Sequence, residues 1–352
     1  MATPFLEVVV FGSSTTWSHR NPYGKRYVDY IESGLQSRFG KTHFVDVAAC
    51  GDGGDTAELA LARIDRDCIA YNPDAVVIGL GSNDAFSGLN RDQCIRNYQK
   101  IVEKIQQETN AILVLETQPT LDENLHSQRQ SPQALLYGGL EKYLEKFTHS
   151  YIRGIAKKEG LLLHDRFATF HTLKEKDPSI NTRLILNDGI HLTSEGNQVF
   201  AETLTELLYP VLAKKSLPQN SNPSLWLNRA ISHIALLESS DAIQKNTLQD
   251  LFTRKEFPAR LLLQQCRSFA RRAFASSNQK EMKEKANTIA LFTAGLLACQ
   301  RAYNPYNKEV FNQSIAWGLF HLQECAHPLA EELKNHLITL KEHSIPPLSE
   351  KR

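Results

Sequence analysis

Long apolar runs are missing from this chain of 352 residues. No stretch approaches the roughly 20 residues that a membrane-spanning helix needs, so no transmembrane segment is expected. A charge excess is missing too. Lys and Arg number 40 against 39 Asp and Glu, giving a formal net charge of +1. That balance lacks the basic footprint of a nucleic-acid binder. Cysteine is sparse and scattered, at positions 50, 68, 94, 266, 299 and 325, with no CxxC pair. The spacing offers no close ligand pairs for zinc, so neither a metal nor any other cofactor is expected. It suits small buried apolar residues in a reducing compartment. No repeat of fixed period is present. The residues ahead of the first apolar run have neither a basic region nor a small-residue cleavage site, and a cytoplasmic protein is expected.

What is present begins with Val8-Val9-Val10-Phe11-Gly12-Ser13-Ser14-Thr15-Thr16. The apolar run predicts a strand buried on both faces, since such a strand need not alternate. The glycine permits a sharp turn. The serines then fall at the carboxyl end of the strand, where open α/β sheets place their ligands.

The rest of the first 213 residues alternates strand and helix signals. Strands are predicted at 5–11, 43–49, 74–80, 111–116 and 161–165. Helices are predicted at 27–39, 56–70, 91–109, 133–158 and 194–213. The alternation predicts a parallel sheet with right-handed crossovers and helices on both faces. Residues 117–131 carry no periodic pattern and read as a long loop of the lid or binding type. A stretch rich in Pro, Asn and Ser at 214–224 reads as a linker. From 225 to 345 only helices are predicted, over 225–239, 241–252, 258–276, 279–303 and 307–343, the last broken near Pro328. This region is expected to be a separable helical domain that caps a pocket or mediates self-association.

Four short segments share the carboxyl edge of the predicted sheet. They are Gly12-Ser13-Ser14, Gly51-Asp52-Gly53-Gly54-Asp55-Thr56, Gly81-Ser82-Asn83-Asp84 and Asp188-Gly189-Ile190-His191. Each alone has a plain structural reading: a tight turn, a helix start, an Asx-turn, a local hydrogen bond. The glycine-rich loop at 51–56 lacks the lysine of a phosphate-binding loop and the GxGxxG register. Together the four segments supply what serine-dependent ester cleavage requires. A serine offers the nucleophilic hydroxyl, His191 the base, and Asp188 the partner that holds its tautomer. The backbone N–H groups of Ser14 and Gly51 and the Asn83 carboxamide are candidate oxyanion donors. Asp188 should favour the imidazolium and move the titration of His191 upward from about 6.5. Trp17, Tyr23, Phe86 and Ile190 are candidate substrate-binding residues, and His19 and Arg20, in the loop after the serines, are candidates to line the pocket or to form an ordinary surface loop. His164, His321 and His327 read as structural, and Asp84 as a brace for its loop.

In these four blocks, taken in order, the chain resembles the SGNH (GDSL-type) hydrolases over residues 5–212. The resemblance implies a flavodoxin-like three-layer α/β/α sandwich with a five-stranded parallel sheet. It assigns Ser14 as nucleophile, Gly51 and Asn83 to the oxyanion hole, and His191 with Asp188 to the base. The first block differs from the usual Gly-Asp-Ser in carrying Ser13 where Asp is common. The implied activity is hydrolysis of a small-molecule or carbohydrate ester through an acyl-enzyme, as in esterases, lipase-like enzymes and carbohydrate deacetylases. An O-acyltransferase with the same triad and a non-catalytic binding scaffold are the alternatives. The helical region lies outside the resemblance.

Overall fold

The computed structural model describes residues 3–215, 222–238, 242–243, 245, 247–253, 259–303 and 305–342. Most of the predicted linker, the junction at 239–241, and the predicted helix ends at Pro258 and His343 lie outside the described residues.

Five parallel strands form one sheet: β1 (Phe5–Gly12), β2 (Phe44–Gly51), β3 (Ala75–Gly79), β4 (Ile112–Glu116) and β5 (Leu162–His164). Their order is β2-β1-β3-β4-β5. The chain leaves β1 toward one side to make β2, then returns past it to make β3. The carboxyl end of β1 is therefore the switch point, where a crevice opens in such sheets. Residues of β1 alternate between two apolar layers. Val8 and Val10 pack with α2 (Tyr27–Phe39) and α11 (Ser194–Leu212). Val9 and Phe11 pack with α3 (Ala57–Asp67), α5 (Arg91–Glu108) and α8 (Ser150–Glu159). Burial on both faces is why the strand sequence carries no polar alternation.

Short helices fill the loops: α1 (Ser14–Trp17), α4 (Ser82–Phe86), α6 (Pro132–Tyr137), α7 (Leu140–Leu144), α9 (Arg166–Lys176) and α10 (Ile180–Leu184). The helix predicted over 133–158 is interrupted between α6 and α7. Gly138 and Gly139 there have φ of +71° and +132°, backbone that ends a helix and that glycine adopts without strain. Helix periodicity on either side masked the break. The segment 166–184, for which the sequence predicts no element, folds into α9 and α10.

The second half is helical: α12 (Pro223–Glu238), α13 (Leu248–Thr253), α14 (Ala259–Ser276), α15 (Lys280–Tyr303), α16 (Lys308–Gln323) and α17 (Ala330–Glu342). These helices share their own apolar cluster, which includes Trp226, Phe269, Phe292 and Leu333. They dock on the outer edge of β2. An edge strand presents unpaired N–H and C=O groups that need partners. Here side chains supply them. The N–H groups of Val45 and Val47 donate to Gln36 Oε1 and Glu32 Oε2 at 2.9 and 3.0 Å. Arg271 Nη2 donates to Val45 O at 3.3 Å, and Arg260 Nη2 to Gly51 O at 2.5 Å. Two carboxylates opposite each other in the sheet, Glu7 and Asp46, are buried beside this docking surface. Ser268 Oγ donates to Glu7 Oε2 at 2.5 Å, and Arg271 pairs with Asp46. Burial, and then the Asp46 charge, push the Glu7 carboxyl well above its ordinary range.

Candidate active site

Gly12 lies in register with Gly51 on one side and Gly79 on the other. The carboxyl ends of β2, β1 and β3 thus make a shelf without side chains. Helix α1 rests on this shelf. A Cβ at Gly12 would meet Thr16 Oγ1, and would stand 2.6 Å from Gly79 O. A Cβ at Gly51 would meet Ser13 O, and would stand 2.9 Å from Trp17 N. Beneath Gly79 lies a buried polar network. Glu116 at the end of β4 accepts from the Tyr27 hydroxyl and lies 2.7 Å from His164 Nδ1 and 3.3 Å from Arg166 Nη2. Burial raises the Glu116 carboxyl, but Arg166, His164 and Tyr27 outweigh it and hold the group below its ordinary value. His164 is therefore part of the support under the shelf.

Ser14 opens α1, and its N–H is one of the first-turn donors without an intrahelical partner. Its Oγ lies 2.9 Å from His191 Nε2. His191 Nδ1 lies 2.9 Å from Asp188 Oδ2. The loop that carries this pair is self-braced, because Asp188 Oδ1 accepts from the N–H groups of Ile190 and His191, both at 3.0 Å. It is also held from outside, where Asp122 N–H donates to Gly189 O at 2.8 Å. Seven residues of the long loop, 117–122 and His126, are buried. The region 117–131 is thus a packed wall of the site.

Arg20, a candidate pocket-lining residue, lies beside the base instead. It pairs with Asp188 Oδ2, the oxygen that His191 Nδ1 contacts. Burial, and then the Arg20 charge, lower His191 to about 3. The direction is opposite to the upward shift expected from Asp188 alone, because burial disfavours the imidazolium and Arg20 adds a positive charge beside it. His19 is likewise lowered to about 3, first by burial and then by His191. Its ring centre stands 6.1 Å from that of His191.

The candidate oxyanion donors divide. Ser14 N–H lies beside the hydroxyl by construction of the helix start. Asn83, in α4, donates from Nδ2 to Asp55 O at 2.9 Å, which leaves its second N–H available. Asp84 beside it caps α3, accepting from Ala57 N–H at 3.0 and 3.1 Å. Gly51 is placed differently. It ends the edge strand, its carbonyl holds Arg260, and its α-carbon is packed beneath the nucleophile turn. The backbone carbonyl that Asn83 holds is that of Asp55, in the turn that follows. Sequence pattern gives no means to separate a packing glycine from one that offers its N–H.

The substrate-binding candidates also divide. Phe86 lies 4.8 Å from the His126 ring, and His126 is near enough to His191 for their charges to interact. Ile190 is half-buried within the His191 loop. The Trp17 ring lies tilted against His19 at 4.6 Å, with the Arg260 guanidinium 4.4 Å over its ring. Tyr23 lies apart from these. It stacks on Trp317 of α16 at 4.1 Å and donates its hydroxyl to Leu297 O at 3.2 Å. It faces the helical half, because its pocket is made by residues nearly 300 positions away in sequence. Tyr306 completes the helical side, donating to Asn187 Oδ1 at 3.1 Å beneath the Arg20 guanidinium.

Among the described residues no three His, Cys, Asp or Glu side chains are grouped to hold a metal ion. No helix among them is long and apolar enough to cross a membrane.

Solved structures similar to this chain include the acetyl xylan esterase AlAXEase, at 24% identity and TM-score 0.47, over 58% of this chain and 100% of that one. The lipase/acylhydrolase from Enterococcus faecalis is similar at 19% identity and TM-score 0.48, over 60% of this chain and 99% of that one. A catalytic mutant of the acetylxylan esterase Axe2 from Geobacillus stearothermophilus is similar at 20% identity and TM-score 0.45, over 58% and 95%. No match is found among curated proteins. Residues 10–199, more than half of the 352, match the profile of the GDSL-like Lipase/Acylhydrolase family, and the chain belongs to that family.

Proposed function

We propose that the protein is a serine hydrolase that cleaves a small or medium acyl ester through an acyl-enzyme on Ser14. The observation that carries this reading is the continuous hydrogen-bond chain Ser14–His191–Asp188 at the switch point of the sheet. With its proton on Nδ1, His191 donates to Asp188 and presents the Nε2 lone pair to the Ser14 hydroxyl. Ser14 Oγ forms the new bond to the acyl carbon as its proton passes to Nε2. The tetrahedral oxyanion is met by the Ser14 N–H and the free Asn83 N–H. The C–O bond of the ester then breaks, and the leaving alkoxide takes the proton from Nε2. Water repeats the sequence on the acyl-enzyme and releases the acid.

Labelling with a fluorophosphonate probe, followed by mass spectrometry of the adduct, tests the nucleophile. The modification is expected on Ser14. A screen of p-nitrophenyl esters of rising chain length, with acetylated sugars, tests the substrate class. Absence of labelling together with absence of turnover across the screen would overturn the reading.

A further inference from the structure

Ser14, His191 and Asp188 all lie within the segment that matches the family profile, yet two side chains of the helical half reach the loops that carry them. Arg301 of α15 takes the nucleophile side. It is 3% exposed, and its Nη2 donates to Ser18 O and His19 O at 3.4 and 3.1 Å. Ser18 ends α1, with its N–H on Ser14 O at 2.9 Å. Tyr306, just beyond α15, takes the base side. Its hydroxyl donates at 3.1 Å to Oδ1 of Asn187, the residue before Asp188. Its ring lies under the Arg20 guanidinium, whose carbon stands 4.9 Å from the ring centre. The next residue fixes the Tyr306 backbone, because Asn307 caps α16 and accepts from Val310 N–H at 2.8 Å.

Arg20 needs such a hold. Among the described residues its guanidinium has two partners, Asp188 Oδ2 and the Tyr306 ring. Its Nε is buried without an acceptor. The side chain is 24% exposed, and one ion pair at that exposure is weak against the entropy of a long side chain. An aromatic face gives the guanidinium a second seat. The position of Arg20 matters because His191 Nδ1 contacts the same carboxylate oxygen. With the guanidinium in place, an imidazolium would stand beside a second positive charge. With it gone, the carboxylate faces the imidazole alone. The other titratable neighbours of His191, His19 and His126, are lowered first by burial and then by His191 itself. Asp188 and Arg20 are thus the groups that bring charge to the base near neutral pH.

On the reading of Ser14, His191 and Asp188 as the hydrolytic triad, we infer that Tyr306 is a positioning residue for the base. Its ring seats Arg20 on Asp188, and its hydroxyl holds the base loop at Asn187. The helical half, outside the family profile, therefore supplies part of the hydrolytic site.

The test follows the His191 ring itself, by NMR of the full chain with nitrogen-labelled histidine, and so does not depend on turnover. His191 is identified as the signal that His191→Gln lacks. In the parent it should stay neutral down to pH 5. Tyr306→Leu removes the aromatic face, and Arg20 can swing toward water. The His191 titration should then rise by about two pH units, within what one neighbouring charge contributes. Tyr306→Phe keeps the ring and should titrate as the parent does. Its kcat/KM should fall by about tenfold or less, for the lost loop hydrogen bond. In an Arg20→Met background Tyr306→Leu should add no further rise, because the contact acts through Arg20. A merely loosened site would raise the titration in both backgrounds. An unmoved titration in Tyr306→Leu, an equal rise in Tyr306→Phe, or an undiminished second rise in the Arg20→Met background would show that Tyr306 does not position the base. A parent that neither takes up a fluorophosphonate nor cleaves any ester would instead overturn the hydrolase reading, and the His191 titration would still decide on Tyr306.

Discussion

Ser13 and Ser14 are neighbours in sequence, but their surroundings assign them different work. Ser14 Oγ meets His191 at 2.9 Å. Ser13 is buried, and its carbonyl accepts from the N–H groups of Thr16 and Trp17 at 3.2 and 3.1 Å. Its side chain makes no capping hydrogen bond. Ser14→Ala is expected to lower kcat by about four to six orders of magnitude, as loss of a serine nucleophile does. Ser13→Ala removes no bond to the helix start and should cost about tenfold or less. Steady-state kinetics on the best ester substrate decides between the two serines. Arg20 sets the second residue-scale prediction. The base must be neutral to accept the serine proton, and burial with Arg20 lowers His191 to about 3. Between pH 8 and 6, kcat/KM should therefore be flat, declining only in more acid solution. Arg20→Met removes the positive neighbour and leaves Asp188 free to favour the imidazolium. Its acid limb should move up toward an ordinary histidine value of about 6.5. Coincident profiles for parent and variant would show that Arg20 does not set the titration.

The nucleophile helix is held by close approach. Four residues long, α1 has too few internal hydrogen bonds to persist alone. It stays because the glycine shelf lets it lie against the strand ends. Gly51→Ala would drive a methyl group toward Ser13 O and Trp17 N. Helix and strand end must separate to admit it. The variant should lose kcat by more than KM changes, because the hydroxyl moves relative to His191 while distant contacts remain. It should also unfold about 1–3 kcal/mol more easily, a common penalty for overpacking. A variant with parental kcat would mean that Gly51 is replaceable and the shelf is not what positions Ser14. If Gly51 were instead only an N–H donor to the oxyanion, alanine would keep that N–H and the damage would be small.

Across the whole molecule, the helical half is bound to the sheet by more than apolar contact. Arg271 pairs with Asp46, Ser268 donates to Glu7 Oε2, and Arg260 and Arg271 donate to open carbonyls of β2. A chain ending at Ala213 keeps both apolar layers of the sandwich but loses these partners. We expect it to fold with a lowered unfolding temperature and to associate through the bared β2 edge. A truncated chain that is monomeric and as stable as the parent would show the two halves to be independent. The buried histidines predict how the intact protein responds to acid. His19 and His191 are lowered to about 3 and His321 to about 4, in each case first by burial. They stay neutral in the native state at pH 5, whereas in the unfolded chain they take up protons below about 6.5. The unfolded state then binds more protons, so stability falls as pH drops from 6.5 toward 4. The unfolding temperature at pH 5 should lie below that at pH 7.5. An equal or higher value at pH 5 would count against neutral burial of these groups.

The strands were legible in the sequence because burial on both faces leaves an unbroken apolar signature, as in Val8-Val9-Val10-Phe11. The four loop segments were legible because each follows such a strand directly, and strand order then brings them to one edge. Local chemistry along the chain thus determined the sheet, its layers, and the grouping of Ser14 with Asp188 and His191. Contacts between distant residues were decided only by the tertiary structure. Arg20 and Asp188 are 168 positions apart, and Tyr23 and Leu297 are 274 apart. No periodicity or composition records such pairs. The same limit applies to Gly51, whose role depends on what lies against its α-carbon. Sequence pattern reports how each segment meets an apolar layer or solvent. The charge around His191, the packing of the shelf and the arginines between the two halves depend on side chains that approach one another only after the chain has folded.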